Sequence, residues 1–356
     1  MARGGTANGR ALRLACVTTR TANGHYRVIV PLQEMARRGH TIHWPGDPTF
    51  KAAERGDVPT WDVMHVQQTH DQEGLEIMAR MRRAGIAIVW DSDDDISSVE
   101  RGSEAWHLHG GRRGIRRHVK QVVEAVRTAH LVTTTNEHLA QVYREHGAEH
   151  VLAIENYLAP TDLQHPRRRH QGVVIGVVLA GEHEPDMRSM RFGQMLERLL
   201  ERHDGVRVVA LGVDLRLRSE HRYTYSDGVP FEQLIPSESD FDIGLAPLRD
   251  TAFNRARSNV KLKEYAAAGA MWLASPVGPY RGMGEEQGGQ IVRDDEWLPT
   301  LEALLLDPDR RRALTERARA WVQRETIRAG AARWQAAYRG AVERARADAA
   351  ARPVRA

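Results

Sequence analysis

The segment 241–281 holds the residues best suited to chemistry, because an apolar stretch there is followed by a polar loop and a helix predicted to begin near Ser258. Ser258 and Asn259 are residue types that cap helix N-termini. Free backbone N–H groups and the helix dipole make such a terminus attractive to anions, phosphate above all. Arg257 and Lys261 add positive charge beside it, so the segment predicts a phosphate-binding site.

Lys261 and Glu264 lie three residues apart on this predicted helix and therefore share a face. Lysine is rare in the chain, with four among 51 basic residues, so Lys261 stands out from an arginine-rich surface. A cation for a diphosphate and a carboxylate for sugar or ribose hydroxyls would then line one wall of a cleft. The alternative, from these residues alone, is a surface helix with an ordinary ion pair at i,i+3 spacing.

A second polar cluster, Asp91, Asp93, Asp94 and Asp95, follows the apolar stretch IAIVW. Four carboxylates in five residues are costly unless they are solvated, cap a helix or bind a cation. An Asp-x-Asp after a strand is suited to Mn²⁺ or Mg²⁺. Because Arg257 and the helix N-terminus already offer positive charge, we favour an acceptor-side or capping role and assign no metal and no cofactor.

Apolar periodicity predicts the elements that must position these residues. In the first half, strands are predicted near 12–19, 40–44, 62–67, 86–91, 130–135 and 151–155, and helices at 26–38, 72–84, 112–128 and 137–146. In the second half, strands are predicted at 173–180, 206–212, 241–247 and 270–275, and helices at 187–203, 258–268, 296–306 and 309–326. Such alternation is typical of parallel α/β sheets.

The stretch 159–172 combines two prolines with a basic run and predicts a linker. We therefore expect an α/β chain of two Rossmann-like, doubly wound parallel-sheet domains that face a cleft. The expected units are an N-terminal domain (1–158), the linker, a C-terminal domain (173–325) and an Arg/Ala-rich helix (326–356) that packs back toward the N-terminal domain. Ligands of such sheets bind beyond the carboxyl ends of the strands.

Composition narrows the function classes. The 356 residues are 41% hydrophobic and 28% charged, which is globular composition for about two domains. No apolar run approaches a membrane span, and the expected location is cytoplasmic. The 47 residues from 310 onward carry thirteen Arg against four acidic residues while the whole chain carries +4, so the body has no basic excess for a nucleic-acid backbone and no such partner is expected.

The pattern DIGLAPL…FN…RS…K…EY in 242–265 resembles the C-terminal domain of GT-B glycosyltransferases, especially the retaining group that uses nucleotide sugars. The resemblance covers about 173–325. It implies that Glu264 binds the ribose hydroxyls of the donor and that Arg257 and Lys261 neutralise the diphosphate next to Ser258 and Asn259. The chain departs from the family's Glu-x7-Glu motif because the earlier position is Ala256.

Further donor-side residues are assigned by the same resemblance. The segment IGVVLAGEHEPD places Gly181 at the end of a strand, followed by His183 and Asp186. The loop 228–231 corresponds to a family loop near the nucleobase, which assigns Phe231 to donor binding. From the residues alone, a helix cap or a surface histidine is the more common explanation of His183.

The N-terminal half resembles the family more loosely. The segment ANGHYR places Gly24, Tyr26 and Arg27 in a first loop that faces the cleft in the family. With His70 and Asp91, these residues are the predicted acceptor side, although a simple turn at Gly24 and a solvated loop histidine remain alternatives. Asp93 joins Arg257 and Lys261 as a predicted catalytic residue.

The resulting interpretation is a GT-B glycosyltransferase that moves a sugar from a nucleotide diphosphate sugar to an unidentified acceptor, with retention and without metal. The partners implied are a nucleotide-sugar donor and a small-molecule, glycan or peptide acceptor. The alternatives are a sugar-nucleotide epimerase or hydrolase on the same fold, and a non-catalytic nucleotide-sugar binding protein, which the missing carboxylate at Ala256 favours. Nucleic-acid binding through the arginine-rich C-terminal helix is a third.

Overall fold

The computed structural model describes residues 10–18, 22–69, 71–165 and 170–351. Over these residues the chain forms two parallel six-stranded sheets. The strands of the first sheet are β1 (Arg13–Val17), β2 (Thr41–His43), β3 (Val63–Gln67), β4 (Ala87–Asp91), β5 (Leu131–Thr134) and β6 (Val151–Ala153). Those of the second are β7 (Val173–Val178), β8 (Val206–Leu211), β9 (Tyr223–Ser226), β10 (Ile243–Ala246), β11 (Met271–Ala274) and β12 (Gly289–Ile291).

Both sheets are doubly wound. The strand order is β2-β1-β3-β4-β5-β6 in the first and β12-β11-β10-β7-β8-β9 in the second. The central strands β3 and β4 are buried at every position, because helices cover both faces of a parallel sheet. The architecture confirms the predicted fold class of two Rossmann-like α/β domains.

Helices connect the strands. In the first half they are Ala22–Gly24, Val30–Arg37, Pro48–Glu54, Gln72–Arg83, Glu104–Leu108, Gly111–Thr128 and Glu137–Glu145, with a π-helical turn at His25–Ile29 and 3-10 turns at Ile96–Ser98 and Pro160–Leu163. In the second half they are Glu184–Ser189, Phe192–Arg202, Leu234–Glu238, Ala252–Arg255, Val260–Ala268, Trp297–Leu306, Pro308–Val322 and Ile327–Ala351, with 3-10 turns at Gly181–His183, Phe231–Gln233, Gly278–Tyr280 and Glu285–Gln287.

Two predicted helices differ from the structure. The helix expected over 187–203 is divided in two, because Arg191 adopts a left-handed conformation with φ of 51°. The helix expected over 26–38 begins as the π-helical turn His25–Ile29 and becomes α-helical only at Val30. The edge strands β9 and β12 were not predicted, since neither contains an apolar run of its own.

The C-terminal helix (Ile327–Ala351) packs on the first sheet, although it follows the second domain in sequence. Trp334 and Tyr338 are buried in a core cluster with residues of β1, β3 and β4. The hydroxyl of Tyr338 lies 3.0 Å from Nδ1 of His65. The predicted packing of this helix's aromatic residues against the protein is confirmed. None of the helices within the described ranges is long and apolar enough to cross a membrane.

Candidate functional site

Side chains of the first half converge on the segment 255–264 of the second half. Asn136 donates to the carbonyl of Arg257 at 2.8 Å, and Asn156 donates to Oγ of Ser258 at 3.2 Å. Thr135 donates to the carbonyl of Ala256 at 3.4 Å. The start of the helix Val260–Ala268, which we call the site helix, therefore lies where the two halves meet.

Arg257 bridges the two halves. Its Nη1 lies 2.5 Å from Oδ1 of Asp94 in the first half, and its Nη2 lies 3.2 Å from Oε1 of Glu182 in the second. Burial would raise the pKa of Glu182, but the charges of Arg257 and His183 together with hydrogen bonds outweigh burial and lower that pKa. Arg257 keeps 24% of its side chain exposed, so this guanidinium is an accessible cation with two carboxylate partners.

Lys261 forms the second cationic position, in the first turn of the site helix. Its Nζ lies 2.5 Å from Oε2 of Glu264 and 3.7 Å from Oε1 of Glu238. Burial disfavours the ammonium form, but the two carboxylates outweigh burial and raise the pKa of Lys261. The Lys261 side chain is 18% exposed. The predicted shared face of Lys261 and Glu264 is present.

Glu264 also contacts the first half. Tyr26 donates its hydroxyl hydrogen to Oε1 of Glu264 across 2.7 Å. Burial, followed by the charge of Glu264, raises the pKa of Tyr26 well above its usual value, so the tyrosine stays a donor. The sequence assigned these residues to opposite sides of the cleft, and the structure joins them.

Glu238 belongs to the same group of side chains but was not predicted from the sequence. It ends the helix Leu234–Glu238 and is fully buried. Neither carboxyl oxygen has a hydrogen-bond partner within the described residues, and burial raises its pKa well above the usual value. Glu238 lies between the predicted strands 206–212 and 241–247, where no local pattern marks a buried carboxylate.

The N-terminus of the site helix has the predicted residue types in a different arrangement. Asn259 is the N-cap, but its side chain makes no capping hydrogen bond. Its Oδ1 is buried without a partner in the described part of the chain. Ser258 instead binds Asn156 of the first half. Ser258 Oγ also accepts a long hydrogen bond of 3.5 Å from the backbone N–H of Val260, so a weak cap by Ser258 is present and the predicted cap by Asn259 is not. Neither residue places a carboxylate at this terminus to compete with an anion.

The aspartate cluster divides into separate roles. Asp95 accepts a hydrogen bond from the backbone N–H of Ser97 at 2.9 Å and caps the 3-10 turn Ile96–Ser98. Asp94 binds Arg257. Asp93 is 8% exposed, and burial, with the neighbouring charge of Asp94, raises its pKa to about 8. Within the described ranges no group of three or more His, Cys, Asp or Glu side chains is arranged to hold a metal ion.

Arg27 and Asp91, which were predicted to face the cleft, are buried instead. They form an ion pair of 2.7 Å with both side chains fully buried. Thr133 donates to Asp91 at 2.6 Å, and Arg27 donates to Oδ1 of Asn156 at 3.0 Å. Neither side chain offers an exposed atom to an acceptor, so the ion pair stabilises the fold beneath the cleft.

His183 and Asp186 are buried, at 4% and 3% exposure, as Glu264 is at 2%. Asp186 accepts hydrogen bonds from Arg249 at 2.7 Å and Asn254 at 2.6 Å. His183 Nδ1 lies 3.6 Å from Asp186 Oδ2. These contacts hold the helix Glu184–Ser189 against the loop and the helix Ala252–Arg255 that follow β10.

The remaining predicted positions are placed as follows. Gly181 begins the 3-10 turn Gly181–His183. Gly24 ends the short helix Ala22–Gly24 with φ of −60°, so it makes no use of glycine's conformational freedom. His70 lies outside the described residues, as does the side chain of Phe231.

Two facing Rossmann-like domains, with Arg257 and Lys261 at the start of a helix between them, define the GT-B fold and a candidate site for an anionic ligand. Residues 188–336 match the family model described as glycosyl transferase-like. The described chain has the two-domain architecture of the GT-B fold.

Solved structures show the same fold at low sequence identity. The sucrose-phosphate synthase of Thermosynechococcus elongatus is similar with a TM-score of 0.67 and 14% identity, over 92% of this chain and 98% of that one. A glycosyltransferase from Rickettsia africae gives 0.62 and 12%, over 94% and 100%. An alpha-glucosyltransferase solved with UDP and DNA gives 0.62 and 10%, over 92% and 99%. A search of curated protein sequences finds no match.

Proposed function

We propose that the chain transfers a sugar from a nucleotide diphosphate sugar to a hydroxyl group of an acceptor. The observation that carries the proposal is the placement of two accessible cations, Arg257 and Lys261, beside the start of the site helix at the meeting of the halves. Free N–H groups of a helix N-terminus and flanking cations form a site for a diphosphate. The alpha-glucosyltransferase neighbour was solved with UDP, so a uridine nucleotide is the first donor to test.

Each cationic side chain contributes to the departure of the nucleotide. As the bond between the sugar C1 and the diphosphate oxygen breaks, the electron pair stays on the diphosphate. Arg257 and Lys261 stabilise that charge electrostatically, at positions fixed before the reaction. The acceptor oxygen forms the new bond to C1, and its proton passes to the departing diphosphate.

Retention of configuration and independence from metal are parts of the same proposal. The resemblance to the retaining group supports retention, which requires no dedicated base of the enzyme. The two cations and the helix terminus support a reaction in which protein groups neutralise the diphosphate. Glu264, held by Tyr26 and Lys261, is the proposed partner of the ribose hydroxyls. The cytoplasmic location and the absence of a nucleic-acid partner stay predictions.

The test is nucleotide release from UDP-, GDP-, ADP- and dTDP-sugars, with and without EDTA, alongside ligand-induced thermal stabilisation. We expect stabilisation and slow release with one donor and no effect of EDTA. Loss of the response in EDTA would contradict metal independence. A lack of response to all four nucleotide classes would contradict the proposed function.

A further inference from the structure

A cavity of about 220 Å³ lies between the two halves, next to the ion pairs of Arg257. Both carboxylate partners of that arginine, Asp94 and Glu182, line the cavity. Most of the remaining wall is apolar and includes Ile96, Val99, Val122 and Phe253. A ligand in this space would lie beside the proposed diphosphate position.

Several interactions fix the cavity wall that the first half contributes. They hold Gln68 in a left-handed backbone conformation, with φ of 50°, that is unfavourable for a residue with a side chain. Its amide donates to Oδ1 of Asp93 at 3.0 Å. The hydroxyl of Tyr143 donates to the backbone carbonyl of Asp94 at 2.7 Å. The rings of Trp90 and Tyr143 meet edge to face with centroids 5.2 Å apart. The cavity is thus built from packed, bonded side chains.

The charge of the cavity limits what it can hold. Asp94 binds Arg257 through Oδ1, while its Oδ2 has longer contacts of 3.4 Å to Gln68 and Asn23. That oxygen can accept a stronger hydrogen bond from a hydroxyl group. The described lining residues include no Lys or Arg and one histidine, His109. Because both carboxylates are paired with Arg257, the cavity favours an uncharged ligand over an anionic one.

We propose that this cavity is the acceptor subsite and that the acceptor is a compact, uncharged hydroxyl compound with an apolar ring. The proposal rests on the proposed function, because it places the acceptor hydroxyl beside Asp94 and the departing diphosphate. The apolar wall takes up the ring, and Asp94 orients the hydroxyl. The acceptor oxygen then bonds to the sugar C1, the bond from C1 to the diphosphate breaks, and the hydroxyl proton leaves with the diphosphate.

The test measures binding of 2-naphthol to the full chain by calorimetry, with methyl glucoside and 2-naphthyl phosphate as comparison ligands. Ala105 lines the cavity from the helix Glu104–Leu108, so Ala105→Trp fills the space. Val99→Phe is a second filling variant for the case that the first does not fold. Ala79→Trp, on the helix Gln72–Arg83 and away from this cavity, is the matched control.

We expect 2-naphthol to bind the wild type and Ala79→Trp alike, and at least about tenfold more weakly to the filled variants, a difference of about 1.4 kcal/mol. Equal binding of 2-naphthyl phosphate or methyl glucoside, or full binding by the filled variants, would overturn the proposal. Thermal stabilisation by UDP is measured on the same proteins and should be unchanged by filling. If UDP stabilises none of them, the donor assignment fails, and the 2-naphthol comparison still decides what the cavity holds.

Discussion

Tyr26 of the first half and Glu264 of the second are joined by a hydrogen bond of 2.7 Å, with 2% of each residue exposed. Glu264 is at the same time 2.5 Å from Lys261. The carboxylate proposed for the donor ribose is therefore oriented by one residue from each half, so the proposed donor site depends on the contact between the halves.

Tyr26→Phe keeps the ring and removes this hydrogen bond. Because Glu264 would lose a partner while buried, we expect the free energy of unfolding to fall by about 1–2 kcal/mol. Chemical denaturation of both proteins measures the difference. Tyr225→Phe removes the hydroxyl of an exposed tyrosine that binds Asp227, and it should have little effect. Equal stability losses in the two variants would contradict the role given to Tyr26.

Asp91→Ala should be among the most destabilising substitutions in the first half. It leaves the fully buried guanidinium of Arg27 without its counter-ion, which costs about 3–5 kcal/mol in comparable cases. Asp62→Ala breaks the ion pair with Arg13, whose side chain is 34% exposed, and should cost about 1 kcal/mol. Denaturant titrations of both variants test the contrast. A mild loss in Asp91→Ala would show that Arg27 finds water or another partner.

The raised pKa of Asp93 predicts that the reaction rate depends on pH. Burial and Asp94 raise its pKa to about 8, so it is mostly protonated near neutral pH and ionises above. Ionised Asp93 would add negative charge close to Asp94 and the departing diphosphate. We expect kcat to fall as pH rises through about 8, and Asp93→Asn to lack that fall. Persistence of the same alkaline limb in Asp93→Asn would assign it to another group.

The raised pKa of Glu238 predicts that the stability of the folded chain depends on pH. Burial raises its pKa in the folded chain well above the ordinary value, so folding favours the protonated carboxyl. Stability linked to this group is therefore complete at acid pH and decreases as pH rises above the unfolded pKa. We expect Glu238→Gln to raise the melting temperature at pH 8 more than at pH 5. An equal shift at both values would contradict a raised pKa.

The parts of the fold and site that sequence reasoning recovers are those with local patterns. Apolar runs located the central strands, and i,i+3 spacing placed Lys261 and Glu264 on one face of the site helix. The approach of Glu238 to Lys261 and of Tyr26 to Glu264 depends on chain packing over long separations. No local pattern encodes those contacts.

The burial of individual polar side chains is the second property that the sequence did not predict. Arg27 and Asp91 have the residue types of a polar cleft and follow the family order, but their side chains are fully buried against each other. His183 and Asp186 are similar, since Asp186 is satisfied by Arg249 and Asn254. Which polar residue faces a cleft is decided by the partners that tertiary packing supplies.

Calorimetric titration of UDP into the wild type, Lys261→Ala and Lys51→Ala tests whether Lys261 binds the donor diphosphate. Lys51 is exposed on the helix Pro48–Glu54 in the first half and serves as the matched control for a lost lysine charge. We expect similar binding by the wild type and Lys51→Ala, and at least about tenfold weaker binding by Lys261→Ala. Binding of UDP by a folded Lys261→Ala as tightly as by the wild type would contradict it.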